Sequence, residues 1–180
     1  MTVQVPTGQI TRLSLNDQTS VWINSESTLR YPSDFGKEAR QVELSGEAYF
    51  EVSHHQDLPF VVKTEYMDVR VLGTRFNVSA YKEDAQVRTF LVEGKVSMTK
   101  PDSNTDGIIL SSGEMARLNK LNNTITIQKR SNTQQKTMGW IDGRYEFSNE
   151  PLREILKRAS RWYDVEFDVN DHKLQNMCFT

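Results

Sequence analysis

The sequence predicts a mainly β protein: a stacked, twisted antiparallel β domain, sandwich- or solenoid-like, followed by a small partial βαβ domain. Three observations carry this. In QVELSGEAYFEV (41–52), Val42, Leu44, Ala48, Phe50 and Val52 share one parity while Glu43, Glu47, Tyr49 and Glu51 share the other, the alternation of a half-buried strand. No helical period occurs before residue 140. Beyond it, Leu152, Ile155, Leu156, Ala159, Trp162 and Tyr163 form one apolar stripe at helical spacing.

The elements follow in order. Ile10, Leu13 and Leu15, then Val21 and Ile23, flank the polar cluster Asn16-Asp17-Gln18, a strand, turn and strand. TLRYPSDFGKEAR is a loop held by Tyr31 and Phe35. Within the 41–52 run Gly46 marks a bulge or close backbone approach, with two collinear strand pieces and a kink between them. Phe60, Val62 and Thr64 alternate after Pro59. Val69 and Val71 are odd but Phe76, Val78 and Ala80 are even, so the strand turns a corner at Gly73.

Val87, Thr89 and Leu91 lead through Gly94 to Val96 and Met98, and PDSNTDG closes a further hairpin. Ile108, Leu110, Met115 and Leu118 flank Gly113, and Ile125 and Ile127 form a last short strand. Glycine, polar residue, apolar residue recurs at Gly8, Gly46, Gly94 and Gly113 beside short strands, a loose and irregular repeat compatible with stacked β-layers. RSNTQQKT reads as a boundary, giving a β domain at 1–130, a linker at 131–139 and a second unit at 140–180. There, Gly143–Phe147 reads as a strand, a helix starts near Pro151 with Ser148 or Asn149 as N-cap, and Val165, Phe167 and Val169 alternate as a closing strand. Phe179 and Thr180 resemble the start of another strand, as in a piece of something longer.

At 180 residues, 37% hydrophobic and 26% charged, the composition is that of a globular chain able to bury a core. A net charge of −2, from 22 basic and 24 acidic residues without long like-charge blocks, argues against a nucleic-acid partner. Apolar runs are far shorter than the ~20 residues of a membrane-spanning helix, and the N-terminus lacks the pattern of a signal peptide. One cysteine, Cys178, leaves no intramolecular disulfide.

Little in the sequence carries catalysis, and none of it calls for a cofactor. His54-His55 point opposite ways on extended chain and have no third ligand at metal spacing, so no metal is expected. Cys178 lacks a hydrolase context, and neither a Gly-x-Ser-x-Gly elbow nor a phosphate loop is present. Glu43 with Glu51, or Asp102 with Asp106, are carboxylate pairs of the kind a glycosidase uses, but Glu43, Glu47 and Glu51 read more simply as the wet side of a strand. On that reading Glu47→Gln changes stability by no more than ~0.5 kcal/mol, while Gly46→Val damages folding. Tyr49 and Trp22 are candidates for a sugar- or protein-binding surface, whereas Trp140 and Trp162 favour packing.

As a set the residues say more. Tyr31-Pro32, Phe35, Arg40, VELSGEAYFEV at 42–52, Pro59-Phe60 with Val62, VLGTRFNVSAY at 71–81, Glu93-Gly94-Val96 and Ser112-Gly113-Glu114 resemble the FecR family of anti-sigma regulators over roughly residues 7–120. YEFSNEPLREILKRASRWYDVEFDV is similar to the small C-terminal domain that follows in such regulators, which resembles the secretin/TonB short N-terminal fold. The resemblance implies a periplasmic sensor, not an enzyme, in a protein anchored in the inner membrane by a helix this chain lacks. Such a sensor binds the N-terminal signalling domain of a TonB-dependent outer-membrane transporter for iron chelates or glycans, and controls an extracytoplasmic-function sigma factor through a cytoplasmic segment.

Gly46, Glu47, Phe50, Gly73, Thr74, Phe76 and Asn77 are then a structural signature. Tyr145, Phe147 and the basic helix face of Arg153, Lys157 and Arg161 are expected near the partner contact, with β-augmentation at 145–147 or 165–169. The rival reading is a carbohydrate-binding β-module without a signalling role, with a sugar enzyme third.

Overall fold

The computed structural model describes residues 1–101, 107–129, 138–147 and 149–180. The hairpin tip at 102–106, with the pair Asp102 and Asp106, the boundary segment 130–137 and the cap candidate Ser148 lie outside the described residues.

The strand Arg40–Glu51 (β5) is twelve residues long and sits at the centre of a 13-stranded sheet that folds over on itself. Its alternation is the predicted one, with Val42, Leu44, Ala48 and Phe50 buried on one parity. Before Gly46 it pairs with Ser27–Arg30 (β4) and, in parallel, with Phe60–Lys63 (β6). From Gly46 onward it pairs with Ser20–Ile23 (β3) and Arg75–Ala80 (β8). One strand therefore belongs to two layers. The front layer adds Thr2–Val5 (β1) beside β4, then Asp68–Val71 (β7), Lys95–Thr99 (β10) and Ile108–Ser111 (β11) outward from β6. The back layer adds Thr11–Ser14 (β2) beside β3, then Gln86–Glu93 (β9), Glu114–Asn119 (β12) and Ile125–Lys129 (β13) outward from β8.

Gly46 is where β5 changes partners, at a φ of +106° that side chains rarely adopt. A Cβ there would run into Ser27, whose Cα lies 2.7 Å from that point. Close approach is thus the reason for this glycine, and the strand passes through it unbroken rather than as two pieces. Gly73 lies in the corner between β7 and β8, where a Cβ would come 2.6 Å from the His54 Cα. The same front-to-back or back-to-front change occurs at Gly8, Gly94 and Gly113, so the irregular glycine repeat marks the crossings between layers.

The inner faces form one apolar core. Phe50 of the back layer stacks on Phe76 at 5.1 Å and meets Phe60 of the front layer edge-on at 5.8 Å. Phe35, in the loop after β4, packs on both Tyr31 and Phe60 and is buried, so the loop is held by its aromatics. The loop is shorter than the sequence suggests, because Thr28, Leu29 and Arg30 pair as part of β4 and Arg40 begins β5. Arg40 is also buried, its guanidinium donating to the carbonyls of Leu58, Ser53, His55 and Leu72 and pairing with Asp17 at 3.2 Å. It ties together three connections that would otherwise leave backbone acceptors unsatisfied.

The C-terminal unit departs in detail from the expected pattern. Gly139–Asp142 is a 3-10 turn, and no strand forms at 143–147. Leu152–Tyr163 is the predicted amphipathic helix (α1), but its N-cap is Pro151 without a side-chain hydrogen bond, not Asn149. Val165, Phe167 and Val169 are in irregular chain that leads into a short helix, His172–Asn176 (α2). The two strands that frame the helices are instead Glu150–Pro151 (β14) and Cys178–Phe179 (β15), paired antiparallel. Short alternating runs are weak strand signals where no neighbouring strand supplies hydrogen bonds.

Candidate functional site

The outer face of the back layer is the part of the molecule where polar chemistry converges. Strand register aligns Trp22, Tyr49, Asn77, Phe90 and Met115 in one transverse row, and Glu47, Ser79, Arg88 and Arg117 in the next. By alternation this face should be wet. Yet Tyr49, Asn77, Phe90 and Met115 are each less than 5% exposed. The C-terminal unit lies over much of it: Trp140 is buried and its indole N–H donates to Asn77 Oδ1 at 3.3 Å. Glu47, Tyr49 and Glu51 are therefore not one wet stripe, because a second structural unit covers part of the strand that alternation left open.

Glu47 sits under this cover. Its Oε1 accepts from Asn77 Nδ2 and its Oε2 from Asn24 Nδ2, each at 2.9 Å. Burial raises its pKa above the ordinary glutamate value, against the lowering effect of the two amides and of the Arg88 and Arg161 charges. Burial and the neighbouring Glu51 carboxylate push the Tyr49 hydroxyl up to about 12. Tyr49 packs on Trp22 at 5.5 Å, and Trp22 in turn lies beneath the Arg12 guanidinium at 4.6 Å, so the candidate sugar platform is used within the chain.

Two ionic clusters join the unit to the β domain. Arg161 of α1 is buried; it bonds to Glu83 Oε1 through Nε at 3.0 Å and Nη2 at 2.6 Å, and it pairs with Asp84. Its guanidinium also lies 3.8 Å from the centre of the Tyr81 ring. Burial opposes its charge, but Asp84, Tyr81 and Glu83 outweigh that and raise its pKa. Lys157 donates to the Glu83 carbonyl at 3.2 Å. In the opposite sense Glu150 of β14 pairs with Arg88 at 3.6 Å and with Arg158 at 2.8 Å. The backbone joins as well, Gly8 N–H donating to Arg161 O at 2.9 Å.

Of the residues expected at a partner contact, Arg161 is thus engaged within the chain and Lys157 is half so. Arg153 is half exposed, bonded to Asn176 and near Glu154. Tyr145 packs edge-on against Trp162 at 5.6 Å, and Phe147 lies near Arg158. Tyr163, Val165, Phe167, Leu174, Met177 and Phe179 of the C-terminal unit are all exposed; of these, the sequence marks only the 165–169 segment as partner-facing.

Catalytic groups do not assemble among the described residues. Glu43 and Glu51 are eight positions apart on one strand, roughly 26 Å at strand rise, far beyond any glycosidase separation. Among the described residues no group of three or more His, Cys, Asp or Glu converges. His54 packs against Gly73, and His55 closes its own turn before β6, its Nδ1 accepting from Leu58 N–H at 3.1 Å. The cavity between the units is about 80 Å³, well below the roughly 300–1,000 Å³ of small-molecule sites. A larger groove on the front layer is open and lined by charged residues such as Arg30, Glu43, Lys63 and Lys82. No described helix is long and apolar enough to cross a membrane.

Comparison with known proteins matches this architecture. A comparison with curated proteins returns no match. Two crystal structures of candidate anti-sigma factors from Parabacteroides distasonis share the fold. One has a TM-score of 0.90 at 31% identity over 99% of this chain and 82% of that one. The other has a TM-score of 0.85 at 32% identity over 92% and 76%. The family described as FecR protein matches residues 1–97 and the one described as FecR, C-terminal matches residues 144–180. On both the sequence and the structural evidence, the chain belongs to the FecR family of anti-sigma factors.

Proposed function

We propose that this chain is the periplasmic sensor region of a membrane-anchored anti-sigma regulator. It binds the N-terminal signalling domain of a TonB-dependent outer-membrane transporter and thereby controls an extracytoplasmic-function sigma factor through a cytoplasmic segment. The observation that carries the reading is family membership over both parts of the chain, the β domain and the small C-terminal unit. The exposed apolar group on that unit, from Tyr163 to Phe179, supports it as the receiving surface, with Arg153 and Lys157 on the same unit to steer an acidic partner. Domain division near residues 131–139 belongs to the same proposal.

Titration calorimetry of the chain against purified signalling domains of transporters encoded beside it is the test. The expected result is saturable binding that weakens when Phe167→Ser and Met177→Ser are combined, and whose association slows when Arg153→Glu and Lys157→Glu are combined. Absence of binding to every such domain, together with selective retention on a glycan array, would replace this reading with a carbohydrate-binding module.

A further inference from the structure

We propose that the C-terminal unit is a latch, seated on the outer face of the back layer by reciprocal charge and released when the Arg161 cluster is broken. The seating is reciprocal because each side contributes the sign the other lacks. The turn after β8 offers Glu83 and Asp84, which Arg161 and Lys157 of α1 meet. Further along the same face Arg88 and Arg117 stand directly opposite each other on β9 and β12, a like-charge pairing that costs stability unless an acid intervenes. Glu150 of β14 comes within 3.6 Å of Arg88 and is itself held by Arg158.

The physical balance favours a latch over a permanent weld. Among the described residues the apolar core cluster lies within the β domain, its last member being Leu118 with Ile125 packed against it. Charge pairs and side-chain hydrogen bonds, with the Trp140 indole N–H on Asn77, cross the joint, which also covers Phe90 and Met115. Buried ion pairs add little net stability but are costly to break from one side, so they fix orientation while leaving the joint openable. Opening it uncovers Asn77, Phe90 and Met115, which otherwise lie buried on an outward face. A partner that engages the outer surface of the C-terminal unit would act by shifting this equilibrium, a consequence that rests on the sensor reading, whereas the latch itself does not.

The test uses the whole chain without any partner, in a Trp22→Phe, Trp162→Phe background that leaves Trp140 as the reporter. Arg161→Asp is expected to raise acrylamide quenching of Trp140 several-fold and to increase the radius of gyration in X-ray scattering, with the β-sheet circular dichroism retained. Combining Arg161→Asp with Asp84→Arg is expected to restore a large part of the shielding. Arg161→Gln, a gentler change, is expected to fall between the two. Trp140 remaining shielded in Arg161→Asp would overturn the latch. So would loss of the β-sheet signal together with Trp140 exposure in both Arg161→Asp and Arg161→Gln, since the two parts would then be one cooperative fold. Neither result bears on whether a transporter domain binds, so failure here and failure of the sensor reading are separable.

Discussion

Glu47, half-buried beneath the C-terminal unit, and Arg40, fully buried in the β domain, behave differently because their surroundings differ. Around Glu47 the orientation of both amide partners is fixed: Asn77 Oδ1 accepts from Trp140, and Asn24 Oδ1 accepts from Ser25 N–H at 2.8 Å. Glu47→Gln therefore sets one N–H against another, a mismatch of about 1–3 kcal/mol. Losing a desolvated charge returns part of it, so we expect a net destabilisation of about 1 kcal/mol at neutral pH, not the neutral outcome of an exposed glutamate. The pH dependence has a definite sign. The folded pKa lies above the unfolded one, so the folded state holds the proton more tightly. Its stability contribution is full below the ordinary value near 4.5 and is lost as pH rises through the folded pKa. The stability gap between wild type and Glu47→Gln should accordingly widen in favour of wild type as pH is lowered through that window, measured by urea melts at several pH values; a gap that narrows would refute the assignment. Arg40 has the opposite character, a cation surrounded by four carbonyls and Asp17. Arg40→Ala strands these acceptors and should cost about 3–5 kcal/mol by chemical denaturation, whereas a loss under 1 kcal/mol would show that water replaces the guanidinium.

At the scale of single elements, β5 is the piece on which the layers depend, and Gly46 is its weak point. Gly46→Val adds a β-branched side chain at a φ of +106° and drives it into Ser27, whose hydroxyl also accepts from Glu47 N–H at 2.8 Å. Strain and overpacking together should cost about 3 kcal/mol or more, read as a fall in melting temperature; a variant that melts with wild type would mean that β5 bends freely there. This element was legible in the sequence, because period-two alternation reports which side chains face the core, and a glycine inside the run reports a close approach. The corner at Gly73 was legible for the same reason, since parity reverses between Val71 and Phe76. What alternation cannot report is whether the other face is covered. Alternation therefore gives no sign that Trp140 and Arg161 of α1 lie over the face that carries Glu47 and Asn77. Likewise 143–147 and 165–169 carry strand-like alternation, but strands need a paired neighbour, and the local sequence does not name one.

At the scale of the whole molecule, stability is unevenly divided. The two β-layers share β5 and one apolar core, so neither can lose its packing without exposing the other's inner face. Among the described residues the C-terminal unit has a 3-10 turn, a two-stranded β14–β15 pair and two helices, and it leaves Tyr163, Phe167 and Met177 in solvent. Small units of this kind gain too little from apolar burial to match a full sandwich. Thermal unfolding should therefore show two transitions. The first is read by Trp140 emission and by helical dichroism, and it releases the C-terminal unit while the sheet signal persists; the second removes the sheet. Arg161→Gln should lower the first midpoint and leave the second nearly unchanged, because Glu83 and Asp84 sit on a turn outside the apolar core. Arg40→Ala should do the reverse, lowering the second midpoint, since its acceptors lie among the connections of the β domain. A single transition in which both variants shift every probe together would show that the ionic joint couples the two parts as strongly as the apolar core couples the two layers.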